Sequence, residues 1–542
     1  MVEVIFEKSR VVFREGAAKG ITHKLNTLDV QVEVYDENNQ LVENQLEIAD
    51  ENKIRVTIQQ DLRNARVLVK GQVEKKENPL VIIAEQTTRV LMGFKTVSLT
   101  YGRTEGSTVP FFKEQVKYFG FDDGFDVPDV KYVLAIPRKD EDLIKKILNE
   151  KWLINENLSS NLITSFSENI DYRADFEPVR GIKVNINGNK TYSLNSSQTY
   201  VFNANGYAFS EATQMGSFSM SYITANTAFK KIDEKNNYQS EVFDNFQRNR
   251  ARFGDVQYNR LSQQQNDASR SGLGENAQQV LIPSFLTTYG VYKEKDTDYD
   301  ITQHMTGLKA VPLPNWQVSI NNLSDIEYLK RFLRSVTLNH TYRSKYNISN
   351  FETNIDYVAN SLVTDFQGNY LMPFNVGTVS IQESFSPLFG IDMAWLNSLS
   401  TRFEIKRDRS LNMNLNSFSI IESHKQSYVT SIGYTIKDLQ LVINAGSGQR
   451  VYKSDLMIRV SYDLGDNVQI IRLLSEEQRE KIPETNSGSL SHSFNLTGDY
   501  ALSESFHLNA FARWEKTVPR NSGSSPRKNL NIGFSVKFNL IQ

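Results

Sequence analysis

The chain has no cysteine. Disulfides, thiolate metal sites and cysteine catalysis are therefore excluded, while export without disulfides stays compatible. Nowhere does the sequence approach the roughly 20 consecutive apolar residues of a membrane-spanning helix, and mean hydropathy is only −0.44. This excludes a helical membrane protein but not a membrane β-barrel, in which half of the strand positions face water. The formal net charge is −2, so there is no electrostatic footprint for nucleic acid, and none is expected as a partner. MVEVIFEKSR at the start carries no basic segment followed by an apolar one, so it is not a signal peptide. If the protein lies beyond the inner membrane, the natural N-terminus is expected to be missing from this chain.

Proline is scarce at 13 residues, whereas Tyr and Phe number 24 and 31. That balance favours strands. At 542 residues the chain exceeds one ordinary core, so several domains or one very large sheet are expected. Residues 1–78 read as a small β unit: Val30, Val32 and Val34 alternate, DENNQ turns, and Leu46 and Ile48 follow. ADENK turns again before Ile54, Val56 and Ile58, and Val67 and Val69 close the unit. KKENP (75–79) is the expected joint.

Beyond it, long alternating segments recur with a Ser-, Asn- and Thr-rich polar face. Phe218, Met220 and Tyr222 alternate with serines, and Leu411, Met413 and Leu415 with asparagines. Leu456, Ile458, Val460, Tyr462 and Leu464 share one face. So do Leu490, Phe494, Leu496, Tyr500 and Leu502, and then Phe506, Leu508, Ala510, Ala512 and Trp514. The last strand alternates through Ile532, Phe534, Val536, Phe538 and Leu540, with Lys537 and Asn539 opposite. Short turns are expected at Lys437-Asp438, at 465–467 and at 503–505, with longer connections at 444–455, 471–488 and 515–529. Such sorting suits an outer-membrane barrel. Two segments break the pattern. Residues 231–310 read as an insertion, helical around Val242, Phe243, Phe246 and Phe253, then a polar loop in QQQNDASRSGLGENAQQ. A short amphipathic helix is expected at 141–154 through Leu143, Ile144, Ile147 and Leu148.

No constellation points to chemistry. His23, His304, His340, His424, His492 and His507 form no HxH, HxxxH or HExxH pair. GSGQR (446–450) lacks the Lys-Ser/Thr of a phosphate loop and reads as a turn. FDDGFDVPD (121–129) gathers Asp122, Asp123, Asp126 and Asp129 without EF-hand spacing, so solvated carboxylates are the default over calcium. In RFEIKRDRS, Arg402, Glu404, Lys406, Asp408 and Ser410 share one face, which would line a barrel lumen. Arg407 and Arg409 lie on the other and are expected above any lipid belt, where a mid-membrane Arg would cost about 2–4 kcal/mol. No catalytic, cofactor-binding or metal-binding residue is assigned, and neither an enzyme nor a cofactor is expected.

Several long strings occur together and in order. They are NPLVIIAEQTTRVLMGFKTVSLTYGRTEGSTVPFF (78–112), NEKWLINENLSSNLITSFSENIDYRADFEPVRGIKVNINGNKTYS (149–193), VFDNFQRNR, IPSFL, PLPNWQVSINNL (312–323), FLRSVTLNHTYRSKYNI (332–348) and SPLFGIDMAWLNSLSTRFEIKRDRSLNMNL (386–415). Over 78–542 the chain resembles the C-terminal part of the SprA/Sov family, the outer-membrane translocon of the type IX secretion system of Bacteroidota. The resemblance implies part of a very large barrel that passes folded cargo across the outer membrane. It also implies a small barrel partner of the PorV kind at a lateral opening, and a separate plug protein. The expected fold is thus all-β: the C-terminal portion of a very large antiparallel transmembrane β-barrel, seen alone as an open curved sheet with short helical insertions. Barrel strands are expected over 79–230 and 311–542. Another outer-membrane barrel, such as a nutrient transporter or porin, is the alternative, and a soluble extracellular adhesin a third.

Overall fold

The computed structural model describes residues 2–73, 92–125, 127–134, 140–150, 152–154, 159–203, 206–233, 238–291, 311–321, 323–358, 362–445, 448–474, 487–503, 506–521 and 523–538. The chain divides into two units, Met1–Leu91 and Met92–Gln542. The expected joint at 75–79, His304, Asp126 and the terminal Asn539 and Leu540 lie outside the described residues.

In the first unit, β1 (Val2–Phe13), β7 (Leu62–Val73), β3 (Val30–Tyr35) and β4 (Leu41–Val42) pair in that order. A second sheet joins β2 (Lys19–Thr22), β6 (Lys53–Thr57) and β5 (Gln45–Asp50). Both contribute to one core containing Phe13, Ile21, Val34, Ile54, Val56, Val67 and Val69, so the unit is a small sandwich. The DENNQ turn forms because the Asp36 carboxylate accepts the N–H groups of Asn38 and Gln40, at 2.9 and 2.8 Å. Leu46 and Ile48 are exposed on β5, an edge strand of its sheet.

His23 is buried in this unit. Its Nδ1 accepts the Leu25 N–H, while Nε2 is buried without a partner. Burial lowers its pKa from 6.5, with Asp50 opposing. A depressed folded pKa stabilises above the unfolded value and is lost as pH falls through the folded one. The unit should therefore lose thermal stability as pH drops below 6.5. In His23→Phe that slope should flatten, as read by thermal unfolding across pH.

The second unit is built on one antiparallel sheet of 15 strands. Its first strands are β8 (Phe94–Thr108), β9 (Ser159–Val179), β10 (Ile182–Asn203), β11 (Gly206–Phe209) and β12 (Thr213–Ser221). The small pair β13 (Ile232–Asp233) and β14 (Gln239–Ser240) stands apart from it. The sheet continues with β15 (Asn315–Ile320), β16 (Leu333–Thr353), β17 (Phe374–Val376), β18 (Thr378–Trp395) and β19 (Leu399–Asn414). It ends with β20 (Ser419–Ala445), β21 (Gly448–Leu473), β22 (Ser487–Ser503), β23 (Phe506–Pro519) and β24 (Arg527–Phe538). The path runs from β24 to β8 without closing on itself. The all-β expectation holds, and the sheet is open rather than a closed barrel.

Two expected turns are not turns. β20 runs straight through Lys437-Asp438, where the register slips between Ile436–Leu456 and Leu439–Ser454. This is a β-bulge. Asp438 adopts φ 56°, its N–H donates to Asp455 at 3.0 Å, and Lys453 pairs with its carboxylate. Residues 465–467 lie in the middle of β21, with Gly465 opposite Ser427 and Ser491. Polar residues there mimic a turn because the strand extends well past its apolar stretch. The short connection at 503–505 and the long one after Leu473 fall between strands as expected. The long connection expected at 444–455 is instead mostly strand, with Gly448 of β21 already opposite Ala445 of β20, and the loop after β23 spans only 520–526.

The insertion is more ordered than its sequence suggests. One helix, Glu241–Gln264, buries Val242, Phe246, Arg250 and Phe253 at helical spacing. A second, Gln278–Thr288, is buried on nearly every side. Between them Leu273 is buried, and Gly272 lies so close to the Tyr370 ring that a Cβ would sit 2.2 Å from it. Gln278 bonds β17 through both amide atoms, to Phe374 O at 2.7 Å and Val376 N at 2.9 Å. Phe246, Leu281, Ile282, Phe285 and Tyr289 pack on Tyr192, Phe218, Met220, Tyr346, Ile381, Leu411 and Met413 of the sheet. The helix Asp140–Asn149 buries Leu143 and Ile147 against Leu162 and Tyr200, leaving Leu148 exposed. Phe285→Ala should cost about 3–5 kcal/mol and expose the 241–288 segment to limited proteolysis before the sheet.

Candidate functional site

Cross-strand partners share a face, so the registers assign one side to each residue. One row runs Ile182, Ile320, Leu338, Ile391, Phe403, Thr430, Tyr462, Phe494, Trp514, Leu530. The next row on that face runs Val336, Met393, Thr401, Ile432, Val460, Leu496, Ala512, Ile532. Apart from the amphipathic rings of Tyr462 and Trp514, threonine is the only polar residue type in either. Many of these side chains are exposed, including Ile432 at 50% and Ile532 at 70%. A water-soluble fold rarely leaves so long an apolar patch open.

The row between these two faces the opposite way and reads Thr337, Asp392, Arg402, Ser431, Ser461, Asn495, Arg513, Asn531. Several charges on this face are paired within it. Arg402 pairs with Asp392 and Glu404, and Lys406 with Glu404 at 3.2 Å. Ser384 donates to Asp408 at 2.6 Å, and Arg513 bonds Asn495 at 2.7 Å. The sheet is therefore a wall with an apolar side and a polar side.

On the apolar side the belt stops at a seam of charge. Glu383 lies directly opposite Arg409, and Arg409 opposite His424. The Arg409–Glu383 pair, at 2.8 Å, is almost fully buried. Glu383 also accepts from Thr224 at 2.8 Å and Tyr342 at 2.9 Å, and Arg409 reaches Thr227. Next along, Glu422 receives Arg472 and the Tyr289 hydroxyl, both at 3.2 Å. Burial first, then the neighbouring Glu422, pushes the Tyr289 pKa well above its ordinary value, so Tyr289 stays a donor. Arg472 also bonds Tyr238 O and stacks on Phe243. Lys190 and Glu168 form a further buried pair at 2.9 Å. Beyond the seam the same face carries Ile381, Leu411, Met413 and Ile420, covered by the two helices. The segment between β12 and β15, with Tyr342 of β16, thus supplies partners to the seam's charges, as buried ions require.

Several residues singled out by the alternation and motif patterns find their places here. Arg402, Glu404, Lys406, Asp408 and Ser410 do share the polar face. Arg407 and Arg409 continue the face of Phe403 and Ile405, but they are packed under the insertion rather than standing free: Arg407 stacks on Phe229 at 4.9 Å and Arg409 is buried. Phe218, Met220, Leu411 and Met413 are likewise covered by helices, unlike the open belt of β20–β24. The histidines do local work. His340 Nδ1 contacts Leu388 O at 2.6 Å, and His492 Nδ1 the Tyr462 hydroxyl at 2.7 Å. Asp129 caps the short helix Val130–Val133 and pairs with Lys146, Asp123 pairs with Lys117, and Asp122 accepts from Val127. Among the described residues no cluster of three or more potential ligands holds a metal geometry. Of GSGQR, Gly448 opens β21 beside Ala445. The buried glutamates Glu168, Glu383 and Glu422 were missed. Their only signal is a lone charge in an otherwise apolar phase of a strand.

A scan against family models finds none that matches this chain. A search of the curated proteins also finds no match.

Removing one member of the seam should expose the cost of the other. Arg409→Leu is expected to destabilise by about 3–5 kcal/mol, because Glu383 is left buried and uncompensated. The double variant E383L/R409L should recover most of this, short of the hydroxyls of Thr224 and Tyr342 that lose their acceptor. Denaturant unfolding in detergent measures both.

Proposed function

We propose that this chain is part of the wall of an outer-membrane protein-conducting channel, the type IX translocon that its sequence resembles. The observation that carries this reading is the pair of opposed rows, apolar on one side and polar on the other, repeated across the sheet. A strand facing lipid on one side and water on the other requires that pattern. The stretch Tyr428–Ile436, between the seam and the bulge, has the length of about 9 residues that a tilted strand takes across a hydrocarbon core. On that face Arg409 and His424 bound it at one end, and the bulge at Lys437-Asp438 marks the other. Among the described residues β8 and β24 each leave one edge unpaired, and in lipid such edges need hydrogen-bond partners, as neighbouring strands of a larger barrel would supply. The polar wall, rich in Ser, Asn and Thr with several of its charges paired internally, suits passage of varied folded cargo without adhesion.

The insertion packs on the apolar side, at the end of the strands beyond the seam. A nutrient transporter would instead carry its plug against the polar side, so this placement favours the channel reading. An adhesin in water would have no use for the exposed belt. By resemblance the partners are secreted cargo, a PorV-like small barrel and a plug protein. The reading assigns no catalytic step.

Adjacent residues test the sidedness. Val460 faces the belt and Ser461 the polar wall. In lipid, Val460→Lys should cost about 2–4 kcal/mol and Ser461→Lys close to none. Equal costs would argue against a membrane belt. In cells, deleting the gene should abolish export of folded cargo and leave nutrient uptake intact. Lost uptake with normal export would favour the transporter.

A further inference from the structure

A pocket of about 280 Å³ opens at the seam on the apolar face, beside the segment Phe229–Ile232. Its cations are Lys230, Lys231 and Arg407, with His424 and Asp466 also on its lining, whereas Lys425 shares the polar face with Asp408. The acidic neighbours are already committed. Asp466 is held by Arg520 through both carboxylate oxygens at 2.6 Å. Glu422 takes Arg472 and lies 3.7 Å from His424, while Glu241 pairs with Lys230. Among the described residues no carboxylate lies within ion-pairing distance of Arg407 or Lys231. Arg407 is half-buried, flanked by Arg409 and stacked on Phe229. Its guanidinium is thus a cation in an apolar setting with its hydrogen-bonding edge uncommitted, a costly arrangement unless an anion completes it.

Directly below it on the same face stand Ile405 and Phe403, with Tyr428 opposite Ile405 and Leu464 opposite Tyr428. The cationic pocket therefore sits at the end of the belt where acyl chains would terminate. Arginine recognises phosphate through paired N–H donors, and basic pockets at membrane boundaries take anionic headgroups. We propose that Arg407 and Lys231 bind the phosphate of an anionic membrane lipid whose acyl chains lie along the apolar belt. The proposal rests on the membrane-facing reading above.

The test uses the whole chain with phosphatidylcholine vesicles containing a minor share of phosphatidic acid. Flotation reports membrane association, and mass spectrometry of lipid retained after detergent extraction reports selectivity. The unaltered chain should float and retain phosphatidic acid in excess of its share. Arg407→Gln combined with Lys231→Gln should still float but lose at least roughly fivefold of that excess, the weight of one basic side chain at an anionic membrane surface. Arg407→Lys should retain part of it. Lys183→Gln, a charge loss on the polar face, should retain all of it. Tryptic patterns matching the unaltered chain establish that the variants fold. A chain that floats with equal enrichment in the double variant overturns the lipid site alone. Complete displacement of phosphatidic acid by inorganic phosphate also overturns it, in favour of a soluble anion. A chain that does not float with these vesicles overturns the membrane-facing reading together with the site.

Discussion

Among the described residues the buried ion pairs of the sheet's apolar face gather along one seam, and much of the second unit is arranged around it. Glu383, Arg409, Glu422, Arg472, Lys190 and Glu168 lie on strand phases otherwise given to apolar side chains. Each is buried or nearly so, and each would be expensive alone. The strands satisfy part of the need by setting opposite charges across from one another, as at Glu383 and Arg409. The rest comes from outside the sheet: Thr224, Thr227, Tyr238 and Tyr289 all belong to the insertion between β12 and β15. The seam thus fixes where the insertion docks. It also separates one continuous surface into a covered part and an open part.

That division explains which features were legible in the sequence. Alternation identified the strands and their two faces correctly at Leu456–Leu464, at Phe506–Trp514 and at Ile532–Phe538, because each of those segments has one environment on each side. The same alternation at Phe218–Met220 and Leu411–Met413 said nothing about what covers the apolar side, since helix and lipid demand the same residues. The helix Gln278–Thr288 left no periodic trace because it is buried almost all round and carries Pro283 inside it. Its neighbour Glu241–Gln264 keeps a solvent face, and its spacing was readable.

Turn chemistry misled at two points for a common reason. Aspartate, asparagine and glycine mark turns because they tolerate unusual backbone or compete for its hydrogen bonds. In β20 and β21, strands of 27 and 26 residues, the same residues sit where the ladder leaves the apolar belt. There they serve a bulge or simply a wet stretch of strand. The candidate site was legible as a pattern of faces, yet its seam was not: single charges such as Glu422 gain meaning only when the register sets them beside a partner from another strand.

The bulge at Lys437-Asp438 gives β20 one residue more than its neighbour needs between Ile436 and Leu439. Below it the apolar phase passes from even-numbered positions to odd ones, Leu439 and Leu441 lying opposite Ser454 and Tyr452. Loss of a single residue there would leave a regular ladder with every remaining side chain on its present side. Loss of a residue anywhere between Tyr428 and Ile436 would instead turn the rest of the strand inside out. The length of this strand is therefore free to drift at one point and locked elsewhere, so insertions and deletions among related chains should gather at the bulge and spare the belt.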